Sequence, residues 1–336
     1  MDLSEVTFPQ PLVVPVSRTE LDRSDENHNP HLALRMSVAR TVAELRARLA
    51  GVRGEGRTIG LVPTMGALHE GHLSLIRRAR EECSFVVVSV FVNPSQFDER
   101  SDLDRYPRRE DRDADLAAAA GADLLFAPSV EEVYPAGFRT SVEVLGLTER
   151  LEGADRGAGH FRGVATVVTK LLSMTQPDVA YFGQKDAQQV VVIRRLVADL
   201  NIPVRIEALP TVREEDGLAM SSRNTLLSGE ERVRARALPA ALHAAAGLLA
   251  SGERSATALI EAATAQMRAR AVEPEYVALV HPDTLEPLQT LDDVGLLALA
   301  ARIGQVRLID NAVLDPHATA IPTRSAPGEV LATCSG

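Results

Sequence analysis

Short unbroken apolar runs alternate along the chain with stretches in which apolar residues recur every three or four positions. TIGLVP (residues 58–63) and FVVVSVFV (residues 85–92) are runs of the first kind. Apolar, β-branched and without polar alternation, they predict strands covered on both faces. A glycine-bearing turn follows the first run, and then a helix beginning near Gly71. DADLAAAAGADLLFAP reads as a helix stopped at Gly121 and a strand over residues 124–126. GVATVVTKLLSMTQP is a helix ended before Pro177, with VAYFG a strand behind it. AQQVVVIRRLVADL is helical again, and VRIEALP a further strand. Helices alternating with non-alternating apolar strands predict an α/β fold built on a mostly parallel, doubly wound sheet.

The texture changes after Thr211. Two Ala-rich helical patterns, residues 229–250 and 255–270, precede EYVALVHP and VRLIDNAVL, which read as strands. GLLALAARIG between them is open between a short strand and a helix. The expected division is an N-terminal domain over residues 36–211 and a smaller α+β C-terminal domain over 212–315. The polar PTVREEDG segment stands between them as a hinge. Residues 1–35 and 316–336, rich in Pro and charge without a sustained period, are expected to be disordered extensions.

Composition narrows the function. The chain has 336 residues, 45% hydrophobic and 24% charged, ample for two globular domains. A net charge of −10 argues against a nucleic-acid partner, since phosphate backbones need a basic footprint. Two cysteines, Cys83 and Cys334, make no disulfide framework and fit a reducing cytoplasm. No apolar run approaches the roughly 18 residues of a membrane span, and MDLSEVTFPQ lacks the pattern of a secretory signal.

The candidate chemistry begins at PTMGALHEGHLSL (residues 63–75), with His69 and His72 three apart. The pair could ligate a metal, but zinc proteases use HExxH, and a third ligand is not evident in the sequence. It could be a core pair, beside the apolar Leu73 and Ile76. The third reading rests on position. A turn from strand into helix lies at the carboxyl edge of a parallel sheet, where ligands bind. The free N–H groups of a helix start suit phosphate. FGQKDAQQ places Lys185, Asp186 and Gln189 at the same edge, and AMSSRN packs two hydroxyls and an arginine together, suited to polyphosphate. FVNPSQF adds Asn93 and Gln96 behind a buried strand, able to read a hydroxy acid. No GxxxxGK[ST], GxSxG or CxxC occurs.

PTMGALHEGHLSL, FVNPSQF, YPR, HFRGVATVVTKLL, YFGQKDAQQ and DGLAMSSRN stand in the order typical of the pantothenate synthetases (pantoate–β-alanine ligases). Over residues 36–316 the chain resembles that family of Rossmann-like nucleotidylyl transferases. HEGH and MSSRN look like its HxGH-type turn and KMSKS-like loop. The resemblance implies that pantoate and MgATP give an enzyme-bound pantoyl adenylate, which β-alanine converts to pantothenate and AMP. It implies His69, His72, Lys185 and Arg223 as catalytic residues at the phosphates, with Ser221 and Ser222 neutralising pyrophosphate. Gly183 and Asp186 would lie by the ribose, Val212 and Met220 by the adenine. Pantoate would meet Asn93, Gln96 and Gln189, with Pro63 and Met65 as walls and Met65 shared with ATP. Asn93 and FDERSDLDRYPR would form a flap. Mg²⁺ would be held mostly by ATP and water, with Asp113 a minor ligand. A homodimer is implied. Two departures stand out: Gln184 replaces the family's Glu, and Arg156 and His160 are four apart where the family has three. Rival readings are an adenylyltransferase releasing a nucleotide product, an HxxH metal hydrolase, and a nucleotide sensor, against which Lys185 and the SSR triplet count.

Overall fold

The computed structural model describes residues 36–97 and 100–317; the expected extensions 1–35 and 318–336 lie outside them. The first half runs β1 (Ser37–Ala39), α1 (Val42–Gly54), β2 (Ile59–Thr64), α2 (Glu70–Glu82), β3 (Phe85–Val90), α3 (Arg100–Arg105), α4 (Glu110–Ala119), β4 (Leu124–Phe126) and α5 (Val130–Val133). It continues with α6 (Glu152–Arg156), α7 (Ala158–Thr175), β5 (Val179–Gly183), α8 (Ala187–Asp199) and β6 (Arg205–Leu209). Then come α9 (Gly229–Ala235), α10 (Ala237–Ala250), α11 (Ala256–Arg268), β7 (Pro274–Val280), β8 (Gly295–Ile303) and β9 (Val306–Leu314).

Six strands form one parallel sheet in the order β1-β4-β3-β2-β5-β6. Helices α1, α7 and α8 cover one face, where Leu45, Leu49, Val168, Leu172 and Ile193 pack on Ile59, Leu61, Val87 and Phe126. Helices α2 and α4 cover the other, through Ile76, Ala79 and Ala117 on Val62, Val86, Val88 and Tyr181. Burial on both faces is why β2 and β3 read as unbroken apolar runs. From β2 the chain winds outward through β3 to β4; after β5 it winds the other way to β6. The direction therefore switches between β2 and β5, and a crevice opens beyond their carboxyl ends.

Strands β7, β8 and β9 form an antiparallel sheet, backed by α10 and α11 through Leu238, Leu242, Leu259 and Met267. GLLALAARIG proves to be β8. Leu297 and Leu299 face the α10–α11 core, while Leu296 and Ala298 join Phe161, Val191 and Leu196 from α7 and α8. Both faces of β8 are buried, so the alternation that would have marked a strand is absent. The pattern at 229–250 breaks into two helices at Arg236: Pro239, in the first turn of α10, has no N–H to give the preceding turn. Helix α1 was not anticipated. Its signal is a capping box, in which the Glu44 N–H donates to Thr41 Oγ1 at 3.1 Å and the Thr41 N–H to Glu44 Oε2 at 3.2 Å.

Candidate active site

The turn after β2 is built by its neighbours. Thr64 Oγ1 donates to Ser89 O at 2.7 Å and accepts the Gly66 N–H at 3.1 Å. Gly66 is at φ +82°, and a Cβ there would meet Asp113 Oδ2 at 3.0 Å, so the tight approach needs glycine. Asp113, 1% exposed, reaches over from α4. Its two carboxylate oxygens accept the Ala67 and Leu68 N–H groups, each at 2.8 Å. With the turn so held, His69 stands as N-cap of α2 and His72 in its first turn.

The two imidazoles lie with ring centroids 4.1 Å apart, tilted by 36°. His72 Nδ1 accepts the His69 N–H at 3.4 Å, which places the His72 proton on Nε2 as a donor. His69 Nδ1 is buried without a hydrogen bond. Burial, then the positive charge of Lys185, pushes His69 down to about 4. Burial, then His69 and Lys185, pushes His72 down to about 3. Both are therefore neutral near pH 7, and a neutral ring keeps one N–H that can be donated without first taking up a proton.

Lys185 arrives from the other side of the sheet switch. Behind β5 a single 3₁₀ turn, Gln184–Asp186, leads into α8. The lysine side chain is 22% exposed, with Nζ 3.8 Å from Asp186 Oδ1. The turn is pinned from the second sheet, because Asn311 Nδ2 donates to Gln184 O at 3.0 Å and Lys185 O at 2.8 Å. Gln188 is spent on structure, giving Nε2–H groups to Leu147 O and Arg150 O at 2.8 Å. Gln189 makes no side-chain hydrogen bond among the described residues, which leaves its amide available to a ligand.

The third component follows β6. The Met220 N–H donates to Val212 O at 2.9 Å, closing a narrow loop that delivers Ser221, Ser222 and Arg223. Ser221 Oγ accepts the Arg223 N–H at 3.3 Å. Burial pushes the pKa of the nearby Tyr106 phenol up, against the charge of Arg223 and the Ser222 hydroxyl. Beside the loop a cavity of about 500 Å³ is lined by Arg213, Glu214, Met220 and Arg232, among others.

The Lys185 charge acts on both imidazoles, and the serine–arginine loop follows β6, the strand next to β5. The sequence matches the family described as Pantoate-beta-alanine ligase over residues 37–313. The chain belongs to that family. Among curated relatives, the pantothenate synthetase of Cereibacter sphaeroides (strain ATCC 17029) is 56% identical over 274 residues, covering 82% of this chain and 98% of its own. That of Moorella thermoacetica is 53% identical over 281 residues, 83% and 99% of the two chains. The crystal structure of pantothenate synthetase from Thermus thermophilus matches with a TM-score of 0.78 at 50% identity, covering 82% of this chain and 99% of that one. Pantoate-beta-alanine ligase from Francisella tularensis, complexed with beta-gamma ATP and beta-alanine, matches at 0.68 and 35% identity, covering 83% and 97%.

Two of the residues expected at the site also have structural contacts of their own. Asn93, expected at pantoate, is 1% exposed and internally engaged. Its Oδ1 accepts from the Tyr134 hydroxyl and Ser95 Oγ, each at 2.8 Å, and its Nδ2 donates to Gly163 O at 3.2 Å and Gln96 Oε1 at 3.0 Å. It therefore holds the Gln96 amide in place. Gln96 Nε2 is left facing Met65 Sδ at 3.2 Å. Gly163 permits this, since a Cβ there would stand 2.2 Å from Ser95 O. Asp113, expected as a minor Mg²⁺ ligand, is occupied by the Ala67 and Leu68 N–H groups. Among the described residues, three His, Cys, Asp or Glu side chains nowhere gather to hold a metal, so the histidine pair lacks the third ligand of a zinc site.

The extra residue between Arg156 and His160 is absorbed at the break between α6 and α7, where Gly157 takes φ +78°. Arg156 Nη1 still reaches His160 Nε2 at 3.2 Å, and His160 Nδ1 donates to Gln96 O at 2.8 Å. Both residues thus support Gln96. Two further contributors were missed. Asn311 could have been found as part of an adjacent polar pair in the middle of the strand pattern VRLIDNAVL. Tyr134 gave no local signal, because its role depends on a contact 41 residues away.

Proposed function

We propose that the chain condenses pantoate with β-alanine, at the expense of ATP, through a pantoyl adenylate. A pantoate carboxylate oxygen attacks the α-phosphorus of ATP, and the bond from that phosphorus to the bridging oxygen breaks to release pyrophosphate. The β-alanine amine then attacks the acyl carbon, the C–O bond to AMP breaks, and the amine loses its proton as pantothenate forms. A carboxylate is a poor electrophile and adenylation supplies its leaving group, so no protein nucleophile is called for. The work left to the protein is placement and charge stabilisation.

The observation that carries this reading is the neutral histidine pair facing Lys185 across the sheet switch, at the start of α2. His72 Nε2–H, His69 and Lys185 donate to phosphate oxygens as charge builds on them. Ser221, Ser222 and Arg223 receive the departing pyrophosphate. Gly183 and Asp186 lie by the ribose, while Val212 and Met220 flank the adenine. Gln96, whose outward group is an N–H₂ donor, and Gln189 orient the pantoate oxygens against Pro63 and Met65. Mg²⁺ enters as part of MgATP. Such a hard ion keeps water and phosphate oxygens as most of its ligands. A homodimeric assembly and a cytoplasmic location accompany the family reading. Among the described residues no helix is long and apolar enough to cross a membrane.

The test is AMP release from ATP with pantoate and β-alanine, omitting each in turn. AMP should require all three in steady state, while pyrophosphate exchange should require only ATP and pantoate. Turnover that persists without pantoate would overturn the reading.

A further inference from the structure

Strand β9 carries two adjacent buried polar residues, Asp310 and Asn311, 1% and 5% exposed. Successive strand side chains point to opposite faces, so the pair serves two neighbours. Asn311 Nδ2 holds the carbonyls of Gln184 and Lys185 at 3.0 and 2.8 Å. Asp310 takes Arg213 in a two-toothed ion pair, Oδ2 to Nη1 at 2.7 Å and Oδ1 to Nη2 at 3.0 Å. The Asn311 N–H donates to Asp310 Oδ1 at 2.8 Å, tying the two together. Arg213 follows Val212, bridges to Ala219 and caps Gly217 O at 3.1 Å, so it fixes the loop that presents Ser221 to Arg223.

We infer that Asp310 and Asn311 are positioning residues that set the separation between the lysine turn and the serine–arginine loop during adenylation. This rests on the function proposed above. Neither touches substrate; each acts through a backbone segment bearing a phosphate ligand. The amide orientation is fixed, because a flip would press Oδ1 on two carbonyl oxygens. As it stands, Oδ1 is buried without a partner. An apolar residue would avoid that cost, so the donor side is what the position uses. Adenylation needs both segments at once, since Lys185 and Arg223 act on one triphosphate. Aminolysis of a formed adenylate has no pyrophosphate to hold.

The experiment separates the half-reactions. In Asn311→Ala, pantoate-dependent ATP–pyrophosphate exchange should fall about tenfold to a hundredfold, the scale of an ångström-sized misplacement. β-Alanine attack on supplied pantoyl adenylate should stay within about twofold of wild type, and the exchange loss should appear in kcat more than in the KM for pantoate. Against Lys185→Ala, the second substitution should add about twofold or less, because the pair acts through that lysine. Arg213→Lys keeps the charge but loses the second tooth; it should show the same selective loss, and it decides the matter if Asn311→Ala does not fold. Equal losses in both half-reactions, or full additivity with Lys185→Ala, would overturn the inference. Absence of exchange in the wild type would instead remove the proposed function itself.

Discussion

His72 is a donor because of its neighbour's backbone: the His69 N–H occupies Nδ1, so the ring proton sits on Nε2. The role requires no charge on the ring, and burial beside Lys185 keeps charge off it. His72→Ala should reduce pantoate-dependent pyrophosphate exchange about a hundredfold, the scale of losing one transition-state donor. Unchanged exchange would make the residue structural. The pH behaviour follows in sign. Folded-state values of about 4 and 3 lie below the ordinary 6.5. As pH falls below 6.5, the unfolded chain takes up protons that the folded chain refuses, so stability drops through that window and no ordinary histidine limb appears above it. Histidine Cε1–H resonances of the free protein should show two rings still neutral at pH 5. A midpoint near 6.5 for either would contradict the burial argument.

The turn between β2 and α2 depends on α4. Asp113→Asn replaces one acceptor oxygen by an N–H₂ aimed at a backbone N–H, leaving a buried donor unpaired at about 1–3 kcal/mol. The urea midpoint should fall accordingly and the KM for ATP should rise, with the Mg²⁺ requirement unchanged. A shifted Mg²⁺ dependence would restore Asp113 as a metal ligand. How far such elements could be read from sequence depended on whether their partners were local. β2, β3 and β5 were legible because apolar runs report burial on two faces. The Pro177 stop and the strand after it were legible from punctuation. β8 was not, since its two faces serve different cores and periodicity vanishes. Among candidate site residues, His69, His72, Lys185 and the serine–arginine loop could be singled out from motif and expected place in the fold, and their roles are those proposed above. The internal contacts of Asn93 and Asp113 were hidden, because an amide or carboxylate looks alike whether it faces a ligand or a distant backbone group.

Two cores meet in the molecule, and Phe161, Val191, Val280 and Leu296 belong to the seam where they join. That seam brings β9 against the lysine turn, so the crevice is finished by residues from the last strand. The sheet order has a related consequence, for synthesis on the ribosome. β2 needs neighbours on both sides, and β5, its partner on one flank, is made more than a hundred residues later: the Ile59 N–H waits for Asp178, 119 positions downstream. Until then IGLVPT is a bare apolar edge, open to any passing strand. A chain ended just before Val179 should therefore sediment as aggregate at concentrations where the full chain stays dispersed, and a soluble monomeric fragment of that length would show the edge to be otherwise protected. The reversal of winding between β2 and β5 also leaves the nascent chain with a period of exposure that only β5 ends.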